Sequence, residues 1–305
     1  MIGRFEEVLK NRKIAYEKNV PGCALSTFRI GGKIAYLLKP QCVGELITCV
    51  RICAGLGMPY AVIGKGSNIL FDDGQMRFAV IATVQLHACK PLSKDRFWAL
   101  CGTPMIKLSA VIARAGFSDL AFACGIPGSL GGALYMNAGA YGCEMSDVVE
   151  SVEIYDPSSD KIETLFNKKL SYSYRKSVFQ TNKHIILSAV LRLQKEAEPR
   201  EVFARMRALN RLRRQKQPLE FPNAGSVFRR PSPEIAVAKM IDEQGLGGLR
   251  IGGAKISEKH TGFIVNTGGA TAADVKELIK RTQKILEREY GMKPNPEICF
   301  LPEEI

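Results

Sequence analysis

Between residues 125 and 142 the sequence reads GIPGSLGGALYMNAGAYG, which places six of the chain's 28 glycines in eighteen positions. Gly131 and Gly132 are adjacent, and Asn137 stands beside Ala138 and Gly139. A residue without Cβ accepts positive φ and lets backbone N–H groups crowd against a ligand. Concavities built this way hold a phosphate or border a flat cofactor ring. A lone glycine pair reads better as a tight packing corner. Six glycines interleaved with small residues favour a ligand cradle. A second loop of the same character, Gly64-Lys65-Gly66-Ser67-Asn68, lies upstream.

Neither loop is a familiar nucleotide fingerprint. A Walker A loop ends in Gly-Lys-Ser/Thr, whereas Gly64-Lys65 is followed by Gly66. A dinucleotide fingerprint of the Gly-x-Gly-x-x-Gly form needs glycine at position 69, where Ile69 stands. Ile69-Leu70-Phe71 is apolar and strand-like, so no helix N-terminus is offered there to a pyrophosphate. Two glycine-rich loops in separate α+β units suit one long, bent ligand. FAD has that shape, with a diphosphate that takes N–H donors and an isoalloxazine ring that needs a flat wall.

The elements that must carry these loops alternate in character. Val43 to Leu56 has helical periodicity and stops at Gly57, with Pro59 just beyond. Tyr60 to Ile63 reads as a short buried strand, and Phe78 to Ala82 as another after the turn Asp72-Asp73-Gly74. A second unit begins with the strand Phe97 to Leu100 and a helix from Met105 to Ala115, stopped by Gly116. Strand-rich sequence follows the glycine run: Val152 to Tyr155, Lys161 to Leu165 and His184 to Leu193. Glu196 to Pro199 reads as a linker. Beyond it come a basic helix to Lys216, a loop from Gln217 to Ser226, and a helix from Ile235 to Glu243. Single strands are expected over Leu249 to Ile256 and Gly262 to Asn266, a long helix over Ala272 to Tyr290, and a closing strand over Pro294 to Leu301.

At 305 residues, the usual ~150 per domain predicts about two domains, or three small ones. No apolar run approaches the ~20 residues of a membrane helix, and the N-terminus carries charge from Arg4 onward, unlike a signal peptide. Cytoplasmic location is expected, without membrane association. Nine cysteines without a Cys-x-x-Cys pair, and three scattered histidines, predict reduced thiols and no metal. The net charge of +13 is partly local: seven of the residues from Arg200 to Lys216 are basic. Val202, Phe203, Met206, Leu209 and Leu212 form an apolar stripe on that segment. Its charge serves anionic partners or is a solvated face. Nucleic acid is not expected, because no aromatic stacking platform accompanies the helix and the single tryptophan is Trp98.

Seven blocks in order make the sequence resemble the UDP-N-acetylenolpyruvoylglucosamine reductases, the MurB family, in its shorter second type. They are Thr27-Phe28-Arg29-Ile30-Gly31-Gly32, Gly64 to Leu70, Gly125 to Gly142, Ser171-Tyr172-Ser173-Tyr174-Arg175, Asn223-Ala224-Gly225-Ser226-Val227-Phe228, Ser257 to His260 with Phe263 to Asn266, and Pro296-Glu297-Ile298. The resemblance implies an α+β protein: a two-subdomain FAD-binding fold of the vanillyl-alcohol-oxidase (PCMH) type, then an α+β substrate-binding domain. The corresponding division is 1–88, 89–197 and 198–305.

The resemblance further implies that NADPH reduces bound FAD, which passes hydride to the enolpyruvyl β-carbon of UDP-N-acetylglucosamine enolpyruvate. UDP-N-acetylmuramate for peptidoglycan is the product; separately, a monomer is expected. Negative charge left on the α-carbon must be stabilised and then protonated. By the same resemblance Ser226 donates that proton, while Arg175 and Glu297 stabilise the intermediate. Taken alone, Ser226 reads as a turn serine and the other two as surface charges. Tyr174, Lys216 and Arg230 are expected at the substrate. Gly64, Lys65, Gly66, Ser67, Asn68, Gly125, Ile126, Pro127, Gly128, Ser129, Gly131, Gly132, Asn137, Ala138 and Gly139 are expected at FAD. Departures from the family pattern stand at Arg230, Ala121 and Thr261-Gly262. The competing reading is a flavin oxidase of the same superfamily acting on an alcohol or hydroxy acid, which has no use for the Asn223–Phe228 block.

Overall fold

A computed structural model describes residues 2–232 and 234–302. The chain opens with α1 (Ile2–Asn11), β1 (Tyr16–Pro21), β2 (Lys33–Leu38), α2 (Val43–Gly55), β3 (Tyr60–Ile63), β4 (Ile69–Phe71) and β5 (Gln75–Ala82). The middle holds β6 (Cys89–Pro91), β7 (Arg96–Leu100), α3 (Met105–Arg114), α4 (Leu130–Tyr135), β8 (Gly139–Ala140), β9 (Cys143–Glu144), β10 (Val149–Asp156), β11 (Lys161–Phe166) and β12 (Ile185–Arg192). The last third contributes α5 (Pro199–Lys216), β13 (Asn223–Ser226), α6 (Val237–Glu243), β14 (Arg250–Ile251), β15 (Ala254–Ile256), β16 (Phe263–Asn266), α7 (Ala272–Tyr290) and β17 (Cys299–Leu301). The class is α+β, as expected.

These elements fall into two compact units, and the chain passes between them more than once. The first gathers Met1–Glu17, Tyr36–Lys65 and Ala79–Arg213; the second gathers Lys18–Ala35, Gly66–Phe78 and Arg214–Ile305.

In the first unit a five-stranded antiparallel sheet runs in the order β11-β10-β12-β7-β6. β12 is apolar at nearly every position and lies at its centre, where both faces are covered. β11 lies at an edge and is largely exposed. β3 and β5 pair in parallel, Tyr60 with Ala79 through Ile63 with Ala82. The basic helix α5 buries Val202 and Met206 against Ala113, Ala121 and Cys124 of this unit. Leu212, expected on the same stripe, is 43% exposed, so the buried face is narrower than the periodicity predicts.

In the second unit a four-stranded sheet of order β13-β16-β15-β14 carries α6 and α7 on one core. α7 forms because Val275, Leu278, Ile279, Thr282 and Leu286 recur at three- and four-residue spacing and are all buried. Its start is a capping box: Thr271 Oγ1 accepts from the Asp274 N–H while Asp274 accepts from the Thr271 N–H. Asp73 accepts the next two free donors, from Ala272 and Ala273, at 2.9 Å each. Gly291, with φ 64°, ends the helix.

Two expectations are corrected here. Leu249 to Ile256 is a hairpin, β14 and β15, because Gly252 takes φ +52° and turns the chain. The segment read as loop up to Ser226 ends in strand β13, paired with β16. The glycine run encloses a short helix, α4, because Leu130, Ala133 and Leu134 supply a buried face among the glycines. Among the described residues no helix is long and apolar enough to cross a membrane.

Candidate active site

The glycine run of the first unit is pinned by main-chain bonds. Met105 donates to Gly128 O at 3.1 Å, Leu130 to Thr103 O at 2.8 Å, and Gly131 to Cys101 O at 2.7 Å. Ser129 sits at the centre of these anchors. Its hydroxyl is buried with no hydrogen-bond partner, and a methyl group on Gly64 would strike it. Burial of an unmet hydroxyl is costly unless something else satisfies it. Gly64 and the run therefore meet at a pinch that admits only a glycine and leaves one polar atom to be satisfied. Burial pushes the neighbouring Cys101 thiol up to about 12, so it stays protonated and inert.

α5 also reaches this run. A methyl on Gly125 would lie 2.8 Å from both Arg213 Cδ and Asn210 Oδ1. Burial lowers the pKa of Arg213. Sequence reading overlooked Arg213 and Asn210; their spacing from Met206, one and two helical turns on, was the available signal. Lys216 is exposed at the C-terminal end of α5.

Arg175 lies at the tip of a tight turn closed by reciprocal bonds between Ser173 and Lys176. It holds φ +55°, uncommon for a side chain with Cβ. Two amides enforce that backbone. Asn137 Nδ2 donates to Ser173 O at 3.1 Å, and Gln180 Nε2 donates to Arg175 O at 3.0 Å. The guanidinium donates to Asn137 O at 3.5 Å and Gly139 O at 3.0 Å, and its Cζ lies 5.0 Å from the Tyr174 ring centroid. Tyr174 itself is 41% exposed. Asn137 is wholly buried, and its Oδ1 accepts from Ser146 N at 2.9 Å. Its side chain is thus spent on holding the Arg175 turn, together with the unforeseen Gln180.

In the second unit, Gly66 has φ +61° and packs so closely on Leu25 O that any Cβ would collide. Asn68 Nδ2 donates to Glu297 O at 3.0 Å and approaches Cys299 Sγ at 3.7 Å. Ser226 owes its setting to a bulge in β13. Asn223 pairs with Val265 and Ser226 with Phe263, so one extra residue is accommodated on the β13 side. Gly225 absorbs it at φ +82°, and its N–H donates to Asn223 Oδ1 at 3.0 Å. Ala224 and Val227 both point into the core across this bulge, which leaves half-buried Ser226 out of it.

Beyond Ser226 the strand continues against the C-terminal segment. Glu297 N donates to Val227 O at 2.6 Å, and Phe228 bridges Pro296. Ser226 and Glu297 are therefore carried on adjoining backbones. His260 lies behind: its Nδ1 accepts from Gly262 N at 3.1 Å and its ring packs edge-on to Phe263 at 4.8 Å. Burial lowers the His260 pKa below its ordinary value, so the ring is neutral.

Two family models match the chain. Residues 217–301 match the model of the UDP-N-acetylenolpyruvoylglucosamine reductase C-terminal domain. Residues 34–164 match an FAD binding domain. The UDP-N-acetylenolpyruvoylglucosamine reductase of Caldicellulosiruptor bescii is 40% identical over 98% of this chain and 95% of its own length. The chain belongs to the UDP-N-acetylenolpyruvoylglucosamine reductase family. A second member, from Clostridium botulinum, is 38% identical over 99% of this chain and 97% of its own. The crystal structure of the Thermus caldophilus reductase superposes with a TM-score of 0.79 at 33% identity, covering 95% of this chain and all of that one.

The family's cofactor is FAD, and the residues present fit it. The unpartnered Ser129 hydroxyl beside Gly64 is a donor that suits a diphosphate. Two departures from the family pattern have packing reasons. Ala121 is 2% exposed in the core beneath α5, where a carboxylate would be buried. Thr261 Oγ1 donates to Ala238 O at 2.6 Å, and a methyl on Gly262 would press on Ala238 Cβ at 3.1 Å. Arg230 is exposed, and nothing in the structure explains it.

Proposed function

We propose that the protein reduces the enolpyruvyl ether of UDP-N-acetylglucosamine enolpyruvate to UDP-N-acetylmuramate, with NADPH as reductant, for peptidoglycan synthesis. When bound, FAD would supply the hydride chemistry that links NADPH to the enolpyruvyl group. Main-chain groups of Gly64 through Asn68 and of Gly125 through Gly139, with the Ser129 hydroxyl, are the groups that would hold it. We assign 1–88 and 89–197 to FAD binding and 198–305 to the substrate, and the working form to a cytoplasmic monomer.

The observation that carries this reading is the pairing of the Val227–Arg229 backbone with Asn295–Glu297, which sets Ser226 beside Glu297. Hydride addition at the β-carbon leaves a strongly basic α-carbanion conjugated to a carboxylate. A neutral hydroxyl suffices as acid toward such a base, provided it is held on the correct face. Ser226 is that donor. Arg175 offers a planar fork to the developing charge, oriented by the Asn137 and Gly139 carbonyls. Glu297 holds the carboxylate end of the intermediate, and Tyr174, Lys216 and Arg230 take the rest of the sugar nucleotide.

Stopped-flow absorbance separates the two halves of the reaction. In Ser226→Ala, flavin bleaching by NADPH should match the wild type while reoxidation by the enolpyruvyl substrate slows by about 100-fold or more. Equal slowing of both halves refutes the role given to Ser226. Rapid oxygen consumption with an alcohol or hydroxy acid, and none with NADPH, would instead establish the oxidase.

A further inference from the structure

We propose that the Asn68 side chain positions Glu297 and is not a flavin ligand; the inference rests on the function proposed above. Asn68 falls in a glycine-rich loop, which invites assignment of its amide to the cofactor. The geometry directs it elsewhere. Its Nδ2 donates to Glu297 O at 3.0 Å, and its own carbonyl accepts from Cys299 N at 2.9 Å. Directly after this pair of bonds the parallel ladder of β4 and β17 begins, Ile69 opposite Cys299.

The other side of Glu297 is held by the strand that carries Ser226, through Glu297 N to Val227 O at 2.6 Å. Residue 297 is thus clamped at its N–H by the Ser226 strand and at its carbonyl by Asn68. β17 is only three residues long, so it is a weak anchor by itself. The Asn68 amide ties the Glu297 main chain back to the glycine loop. Without that donor the Glu297 carbonyl loses this bond, and the 296–298 backbone is held less firmly relative to Ser226. A displacement of about an ångström between acid–base groups and substrate can cost about 100-fold in rate.

Two variants test this, each purified and loaded with FAD. Asn68→Ala removes the amide. Asn68→Asp keeps its size and replaces the donor with an acceptor that a carbonyl repels. FAD affinity is read by fluorescence quenching of the stripped protein, independently of activity. The two half-reactions are then followed per bound flavin. The expected result is unchanged FAD affinity and unchanged reduction by NADPH in both variants. Reoxidation by the enolpyruvyl substrate should slow by about 10- to 100-fold, with Asn68→Asp no better than Asn68→Ala. Weakened FAD binding with a normal substrate step per bound flavin would make Asn68 a cofactor ligand and overturn the proposal. An Asn68→Asp variant indistinguishable from wild type would also overturn it, since shape alone would then suffice. Should Asn68→Ala fail to fold, Asn68→Asp decides by the same readings. Failure of the wild type itself to turn over the sugar nucleotide is a separate outcome, and it sinks the proposed function rather than the placement of Asn68.

Discussion

In the reaction proposed above the acid is a serine, Ser226, and its own chemistry contributes little. The proposed acceptor is so basic that location decides, and location comes from Gly225 at φ +82° and the Asn223 amide that braces it. Arg175 is treated likewise, with Asn137 and Gln180 holding a backbone that few side chains adopt. His260 makes a residue-scale prediction about pH. Burial lowers its pKa below the ordinary 6.5, so between that value and the lower folded value the unfolded chain binds the extra proton. Its contribution to stability is complete above about 6.5 and is lost as pH falls through that window. Melting temperature measured from pH 8 down to pH 5 should therefore fall less steeply in His260→Gln than in the wild type. Parallel curves would show that His260 is not held neutral.

At the scale of elements, the bulge in β13 joins fold to site. A methyl on Gly225 meets nothing within 4 Å, so Gly225→Ala isolates the cost of the left-handed backbone. That cost is about 1–2 kcal/mol, to be read from chemical denaturation, and the substrate half-reaction should slow while flavin reduction is spared. An Ala variant as stable and as active as the wild type would mean that the bulge relaxes freely. The cap of α7 offers a control remote from the chemistry. Thr271→Ala removes the acceptor for Asp274 N and should lower stability by about 1 kcal/mol while both half-reactions hold. α7 was legible in the sequence to its last residue because its stripe, cap and terminal glycine agree. The hairpin β14–β15 was not: Gly252-Gly253 reads as tolerated within a strand until the turn it makes is seen.

For the whole molecule, membership of the reductase family and its FAD binding domain make the bound flavin part of the stability. In the proposed cradle, Ser129 Oγ is an atom that the protein itself leaves unmet. Stripping FAD should lower the melting temperature, and re-addition should restore it in a concentration-dependent way. At 100 times Kd the gain is about 2.7 kcal/mol. A melting temperature indifferent to FAD would contradict the cradle. The +13 charge finds a use at this scale too, since every ligand of the proposed reaction is an anion.

What the sequence determined by itself was local and ordinal. Helical and strand periods, caps and glycine stops depend on neighbours a few residues apart, and seven blocks in order pointed to the family that the relatives show. Tertiary structure alone decided who supports whom. Asn68 and Glu297 are 229 positions apart, and Asn137 and Ser173 are 36 apart, so neither bond leaves a periodic trace. Such contacts exist only once particular backbones have paired, and pairing is settled by burial across the whole unit rather than by any residue's own preference.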